Sequence, residues 1–302
     1  MKKCLVLGAS GFIGKNLCAE LVKVCSVRAL VRRPNTYLSE IGVQEVIQAD
    51  FSQITDFTPY LEGVDTVYHL ISTSLPKEGT DGVADQEIQK NVIPTVHLLE
   101  SMKRVGVKKM IFASSGGTVY GDHGDIPAKE TDALNPKSAY GLQKRLIEDC
   151  LHFYRVACGM QTRIVRISNP YGCGQQLDKN QGVIPIFIRR LLADEPITVW
   201  GGENKRDYIF MNDLIEALIM MGDYEGKEFV FNIAGDQVYS IKEVIETIEA
   251  VVGKSFREIT FEQPKSSDVG NTCLDISLIR RELNWHPHTT LRDGIEQIYR
   301  EM

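Results

Sequence analysis

A short strand-like run, Lys2 to Leu7, leads directly into Gly8-Ala9-Ser10-Gly11-Phe12-Ile13-Gly14, and Ile13, Leu17, Leu21 and Val24 then recur on one side of a helix. Glycine lets the backbone turn tightly and approach a pyrophosphate, while the helix start supplies unpaired N–H groups and the positive end of its dipole. On this reading Gly8, Ser10, Gly11, Phe12, Ile13 and Gly14 line a dinucleotide site. A glycine turn kept for packing alone is the alternative. The position directly after an N-terminal strand favours the nucleotide.

The following residues alternate strand and helix. A second strand, Val27 to Val31, ends at Arg32-Arg33 with no carboxylate to hold ribose hydroxyls. Arginine suits a 2′-phosphate, so NADP is favoured over NAD. A third strand, Glu45 to Gln48, is followed by Asp50-Phe51. Asp50 either bonds an adenine amino group or caps a helix starting near Ser52. A fourth strand, Thr66 to Leu70, runs into Ile71-Ser72-Thr73-Ser74, and residues 74–84 read as a surface loop. A long helix from Asp85 to Val105, interrupted by Pro94, precedes a fifth strand, Lys109 to Ala113, which ends in Ser114-Ser115-Gly116-Gly117-Thr118. This alternation predicts an α/β fold with a Rossmann-type, doubly wound parallel sheet, its ligands at the carboxyl ends of the strands.

Between the fifth strand and a sixth, Thr162 to Ile167, lies Ser138-Ala139-Tyr140-Gly141-Leu142-Gln143-Lys144. Pro136 discourages helix before this stretch and Ser138 can cap one starting there. Tyr140 and Lys144 then share a helical face. A cation beside the phenol stabilises its phenolate and makes tyrosine usable as an acid or base near neutral pH. Taken alone, such a pair also occurs by chance on surface helices.

Beyond Ser168 the elements shorten and loops grow. We divide the chain into a dinucleotide-binding domain over 1–168 and a smaller mixed α/β lobe over 169–302, mainly for substrate, with some segments returning to the main sheet. Strands are expected at Ile197–Val199, Tyr208–Phe210 and Phe229–Ile233, and helices over Gly182–Leu192, Asp213–Met221, Ile241–Val252, Ser277–Leu283 and Leu291–Glu301.

The net charge of −6 and the absence of basic runs speak against nucleic-acid binding. No apolar run reaches the length of a membrane span, and the apolar stretch after Met1-Lys2-Lys3 stops at Gly8, too soon for a secretory signal. Seven cysteines without a CxxC pair point to reduced thiols, a cytoplasmic setting and no metal site.

Together these pieces resemble the extended short-chain dehydrogenase/reductase family, in particular its sugar-nucleotide epimerases and dehydratases. The resemblance covers essentially the whole chain. It rests on Gly8-xx-Gly11-xx-Gly14, Tyr68-His69-Leu70, Asn91, Ser114-Ser115, Tyr140-xxx-Lys144, Asn169-Pro170-Tyr171-Gly172, Arg206-Asp207-Tyr208 and Asn232-Ile233-Ala234-Gly235. It implies that Tyr140 is the acid/base on a sugar hydroxyl, that Lys144 lowers its pKa, and that a hydroxyl at the end of strand five shares the substrate oxygen. Counting from Phe112 selects Ser115. Counting back from Val119-Tyr120-Gly121 selects Gly116, because this loop is one residue longer than usual. Ser115 is expected, with Thr118 as the fallback.

The resemblance also implies cofactor contacts from Leu70, Ile71, Ser72, Asn91 and Ser114, and a nucleotide-sugar site including Asn169, Arg206 and Trp200. Lys265 stands where a second diphosphate-clamping arginine is common, so a bidentate contact becomes a point charge. Trp200 is as well explained by packing in the lobe. The Asp-Glu pair that 4,6-dehydratases carry is replaced by Gly116-Gly117, which argues against dehydration. His69 is expected to be structural. The first expectation is a UDP-hexose-type 4-epimerase working with bound NAD or NADP. The second is an NADPH-dependent 4-ketosugar reductase. A non-catalytic NADP sensor is the reading of another class, and the intact Tyr140–Lys144 pair speaks against it. A homodimer through the helices at 85–105 and 138–157 is expected, with no nucleic acid and no membrane among its partners.

Overall fold

The computed structural model describes residues 2–74, 84–175, 182–263 and 270–302. In chain order its strands are β1 (Lys3–Leu7), β2 (Ser26–Val31), β3 (Glu45–Gln48), β4 (Thr66–His69), β5 (Lys109–Ser115), β6 (Gln161–Ile167), β7 (Asn169–Tyr171), β8 (Ile197–Trp200), β9 (Lys205–Phe210), β10 (Val230–Ile233), β11 (Val238–Ser240) and β12 (Ile259–Glu262). Seven of them form one sheet in the order β10-β6-β5-β4-β1-β2-β3, and every neighbouring pair is parallel. The order reverses at β1, with β2 on one side and β4 on the other. The crevice that results lies beyond the carboxyl ends of these two strands.

Alternation along the central strands builds two cores. Leu5 and Leu7 of β1 join Phe112, Leu98, Leu99, Ile147 and Leu151 on one face. Cys4 and Val6 join Leu17, Ala29, Ile111, Leu214 and Leu218 on the other. The first face is covered by the helices Ile93–Val105 and Ala139–Cys158, the second by Phe12–Leu21 and Met211–Asp223. A parallel sheet covered on both faces needs strands apolar on both sides, which is why Cys4–Leu7 of β1 and Ala29–Val31 of β2 read as apolar runs, while Arg28 of β2 is buried against Glu45.

The later segments build a third core from Tyr171, Ile184, Phe187, Ile188, Val199, Phe210, Val244, Ile245, Ile295 and Ile298. Two small sheets frame it, β11-β9-β7 and β12-β8. β10 departs from this lobe and pairs with β6 at the edge of the main sheet.

Several local expectations change. β7, β11 and β12 are strands that the short apolar stretches did not reveal. The segment after Asp50 is a single 3-10 turn, Phe51–Gln53, rather than a helix. The long helix is not uniform: a π-helical stretch, Ile88–Val92, separates Ala84–Glu87 from Ile93–Val105. Pro94 lacks an N–H and disrupts the ordinary ladder here, and the Thr95 hydroxyl donates to the Asn91 carbonyl at 2.6 Å. Among the described residues no helix is long and apolar enough to cross a membrane, and no cluster of three or more His, Cys, Asp or Glu could hold a metal.

Candidate active site

At Gly8 and Gly14 the glycine turn leaves no room for anything larger than hydrogen against its own neighbours. Gly8 has φ +86°, and a Cβ there would lie 3.2 Å from the Leu70 carbonyl carbon and 3.1 Å from Ile71 Cγ1. A Cβ on Gly14 would lie 2.2 Å from the Gly8 carbonyl oxygen. The turn therefore packs the start of the Phe12–Leu21 helix directly on the end of β1. Gly11 precedes this helix without a side-chain cap, so its first N–H groups remain for an anion. Ser10, Phe12 and Ile13 are half-buried around this turn, and Leu70 and Ile71 close it from β4.

Arg32 and Arg33 are exposed at the end of β2, the strand whose Leu30 carbonyl accepts from Gly8 N. Asp50 is committed locally: its Oδ1 accepts from Ser52 N at 3.0 Å and from Ser52 Oγ at 2.8 Å. The Phe51 ring is core, 5.4 Å from Phe57 and 5.0 Å from His69 between centroids, so its side chain is not presented to a ligand. Ser72 accepts from Gln143 Nε2 at 2.9 Å. Asn91, 1% exposed, donates to Thr73 Oγ1 and accepts from Thr73 N, fixing the segment that leaves β4.

Tyr140 and Lys144 stand one turn apart at the start of the Ala139–Cys158 helix, which Ser138 caps by accepting from Gly141 N at 3.1 Å. Lys144 is 2% exposed and donates to the Ala113 carbonyl at 2.7 Å. Its ammonium lies 4.7 Å from the Phe112 ring centroid and 5.6 Å from that of Tyr140. Burial pushes it down to about 8, against the pull of Glu148 and Glu87. Burial pushes the Tyr140 phenol up to about 12, and a hydrogen bond from the Ser115 hydroxyl works in the opposite direction. A further positive charge beside the phenol would stabilise its phenolate, and burial leaves Lys144 a cation easily perturbed.

A helical turn, Gly116–Val119, follows β5 directly. Ser115 ends β5 and hydrogen-bonds Tyr140. Thr118 lies on the turn, its Oγ1 buried without a hydrogen-bond partner. Gly116 is not an open loop residue: a Cβ there would strike Leu274 Cδ1 at 2.4 Å.

The Ser114 side chain is directed elsewhere than expected. Its hydroxyl donates to Glu148, one turn beyond Lys144. Glu148 accepts from Arg166 at 2.7 Å, with both side chains about as buried as the core. Arg166 donates to the Tyr120 hydroxyl at 2.8 Å, which donates to Asn232 Oδ1 at 2.7 Å. Single residue types did not reveal this network. Glu148 could have been found as the third member of the stripe Tyr140, Lys144, Glu148. Gln143 and Glu87, 1% and 4% exposed beside the site, carried no sequence signal.

Of the residues expected to hold substrate, Asn169 and Arg206 lie on the neighbouring strands β7 and β9. Asn169 Nδ2 donates to the Asp207 carbonyl at 2.9 Å, so it joins β7 to β9. Arg206 donates to the carbonyls of Lys205 and Gly270. Trp200 is not lobe packing: it is 49% exposed at the end of β8, and its Nε1 donates to Glu262 at 2.8 Å. Lys265 lies outside the described residues. His69 is structural, fully buried, held by Thr95 at 2.9 Å and kept neutral by burial, which lowers it to about 3.

The profile of the NAD dependent epimerase/dehydratase family matches residues 4–234. A dTDP-4-dehydro-6-deoxyglucose reductase from Escherichia coli is 36% identical, covering 99% of this chain and 96% of that protein. A putative UDP-glucose 4-epimerase from Methanocaldococcus jannaschii is 30% identical over 97% and 96%. Among solved structures, the UDP-glucose 4-epimerase of Thermotoga maritima with UDP-glucose superposes at a TM-score of 0.91 with 25% identity, covering 99% of this chain and 97% of the other. MoeE5 in complex with UDP-glucuronic acid and NAD does so at 0.86 with 28% identity, covering 99% and 98%.

Proposed function

The chain belongs to the NAD-dependent epimerase/dehydratase family, and from that premise we propose that it reduces the 4-keto group of a nucleotide-linked deoxyhexose with NADPH. The observation that carries the choice of reduction is the end of β2. There Arg32 and Arg33 stand exposed and suit the extra phosphate that marks NADPH, the cofactor of net reduction. The 36% identity to a dTDP-4-dehydro-6-deoxyglucose reductase over nearly the full chain supports the same reading. It reverses the order of the two enzymatic readings expected from sequence, in which the 4-epimerase came first.

The chain's own residues divide the work. Gly8, Gly11 and Gly14, with the helix start behind them, receive the pyrophosphate, and Arg32 and Arg33 the 2′-phosphate. A reduced nicotinamide cofactor held by these residues would supply the hydride chemistry at sugar C4. Tyr140 and Ser115 hydrogen-bond the C4 oxygen, and Tyr140 gives it a proton as the carbonyl becomes an alcohol. Lys144 stabilises the phenolate left behind, held in line by the Ala113 carbonyl. Arg206, Lys265 and exposed Trp200 are assigned to the nucleotide diphosphate end, whose binding holds the sugar over Tyr140. A second copy is placed against the helices Ile93–Val105 and Ala139–Cys158, where Ile93, Phe153 and Val156 stand exposed.

A UDP-hexose 4-epimerase is the second reading, favoured by the 0.91 superposition. Purified protein separates the two. The reductase consumes one NADPH per 4-keto-6-deoxy sugar nucleotide and is inert without added reductant. An epimerase copurifies with its cofactor, detectable by mass, and interconverts UDP-glucose and UDP-galactose with none added.

A further inference from the structure

The unit of β1, the Phe12–Leu21 helix and β2 carries the glycine turn at one end and a pair of thiols at the other. Cys4 stands near the start of β1, and Cys25 lies just before β2, where the chain leaves the helix. Across the two parallel strands Lys3 pairs with Ser26 and Cys4 with Val27. Both cysteines belong to the core on the face that this helix covers. Their Sγ atoms lie 3.5 Å apart in hydrogen-bonding contact, and Cys25 Sγ also donates to the Leu21 carbonyl at 3.3 Å. Each keeps 6% of its surface exposed, whereas Cys18, on the helix between them, keeps none. Val24, directly before Cys25, is 65% exposed, so solvent reaches the turn that carries this thiol.

We propose that Cys4 and Cys25 are a dithiol that hydrogen peroxide converts to a disulfide, which clips the end of the Phe12–Leu21 helix to the start of β1 and leaves the glycine turn at the opposite end undisturbed. The Cys25 thiolate attacks one peroxide oxygen, the O–O bond breaks, and the departing oxygen takes up a proton and leaves as water. The Cys4 sulfur then attacks the Cys25 sulfenic acid. The S–S bond forms, the S–O bond breaks, and the leaving oxygen carries away the Cys4 proton as a second water. The two thiols lose two electrons, and the peroxide is reduced by the same two.

The roles of the two sulfurs follow from their contact. The hydrogen bond between them lowers the Cys25 thiol below its ordinary range and raises that of Cys4, so Cys25 is the readier thiolate. Burial pushes Cys18 up to about 12, which keeps it protonated. The sulfurs must close from 3.5 Å to the roughly 2.0 Å of a disulfide. The turn at residues 22–24 takes up that shift, since it is joined to the rest of the unit at its helix end only through Cys18, Glu20 and Leu21 carbonyls.

The full chain is treated with hydrogen peroxide, remaining thiols are alkylated, and trypsin is applied without reductant. Trypsin places Cys4, Cys18 and Cys25 on separate peptides, 4–15, 16–23 and 24–28. The expected product joins peptides 4–15 and 24–28, is two hydrogens lighter than their sum, and is split by dithiothreitol. Closing a loop between residues 21 apart restricts the unfolded chain, so the oxidised protein should melt about 3–6 °C above the reduced one. Dithiothreitol should remove that gain, and Cys4→Ala and Cys25→Ala should lack it. Where an alanine variant does not fold, Cys4→Ser or Cys25→Ser serves instead. Cys4 and Cys25 recovered as free thiols, Cys25 recovered as a sulfinic acid, or a link through Cys18 in place of the pair would overturn the proposal. A joined peptide with no rise in Tm would overturn the clip.

Discussion

Glu148 and Arg166 face each other at 2.7 Å with side chains 4% and 5% exposed, directly beneath Lys144. Their mutual attraction offsets the cost of taking both from water only while both are present. Glu148→Gln or Arg166→Met alone should each cost about 3–5 kcal/mol of stability, read as a lower denaturant midpoint. The double variant Glu148→Met/Arg166→Met should recover a good part of that loss. A loss in the double variant equal to the sum of the two single losses would show that the two charges are not coupled.

Lys144 gives a pH dependence with a definite sign. Its folded pKa, about 8, lies below its ordinary value of 10.5. Between those values the unfolded chain holds the proton and the folded one does not. Stability from this group therefore rises with pH from about 8 to 10.5 and is lowest below 8. The gain is on the order of 3 kcal/mol. Denaturant unfolding of wild type and Lys144→Met across this range should show the slope in the first and not in the second.

Gly14→Ala tests the glycine turn. Its new Cβ meets the Gly8 carbonyl oxygen at 2.2 Å and Ala9 Cα at 2.8 Å, both backbone, so the helix start must move off β1. A loss of about 1–3 kcal/mol is expected. The wild-type rise in Tm on adding NADPH should vanish in the variant.

Arg32→Ala/Arg33→Ala tests cofactor choice. Each charge-assisted bond to a phosphate is worth about 1.5–3 kcal/mol. With both removed, KM for NADPH should therefore rise about 10²- to 10⁴-fold, with KM for NADH little changed. Equal effects on both cofactors would place the arginines outside the site.

Much of this arrangement was legible in the sequence because its parts carry local constraints. Gly8 and Gly14 exclude other residues on steric grounds. Tyr140 and Lys144 are joined by helix periodicity, with Ser138 marking the start. Two counting rules disagreed on the hydroxyl after β5, and neither could show that Ser115 ends the strand while Thr118 lies on the Gly116–Val119 turn. Ser114, Phe51 and Asp50 were assigned from motif position, and their side chains are engaged by Glu148, by Phe57 and His69, and by Ser52. Glu148 lies on the helical stripe of Tyr140 and Lys144, but its partner Arg166 comes from β6 and meets it only through packing, so spacing could not join the two. The π-helical turn was equally invisible, because Pro94 announces a disruption without stating its form.

The most direct test of the central claim is transfer of label from NADPH deuterated at the transferring position of its nicotinamide ring to a dTDP-linked 4-keto-6-deoxyhexose. The account predicts one deuterium at sugar C4 per NADPH consumed, with Tyr140→Phe slowing the reaction by about 10²- to 10⁴-fold while still binding NADPH. A product without deuterium at C4, or epimer formed while NADPH is untouched, would contradict it.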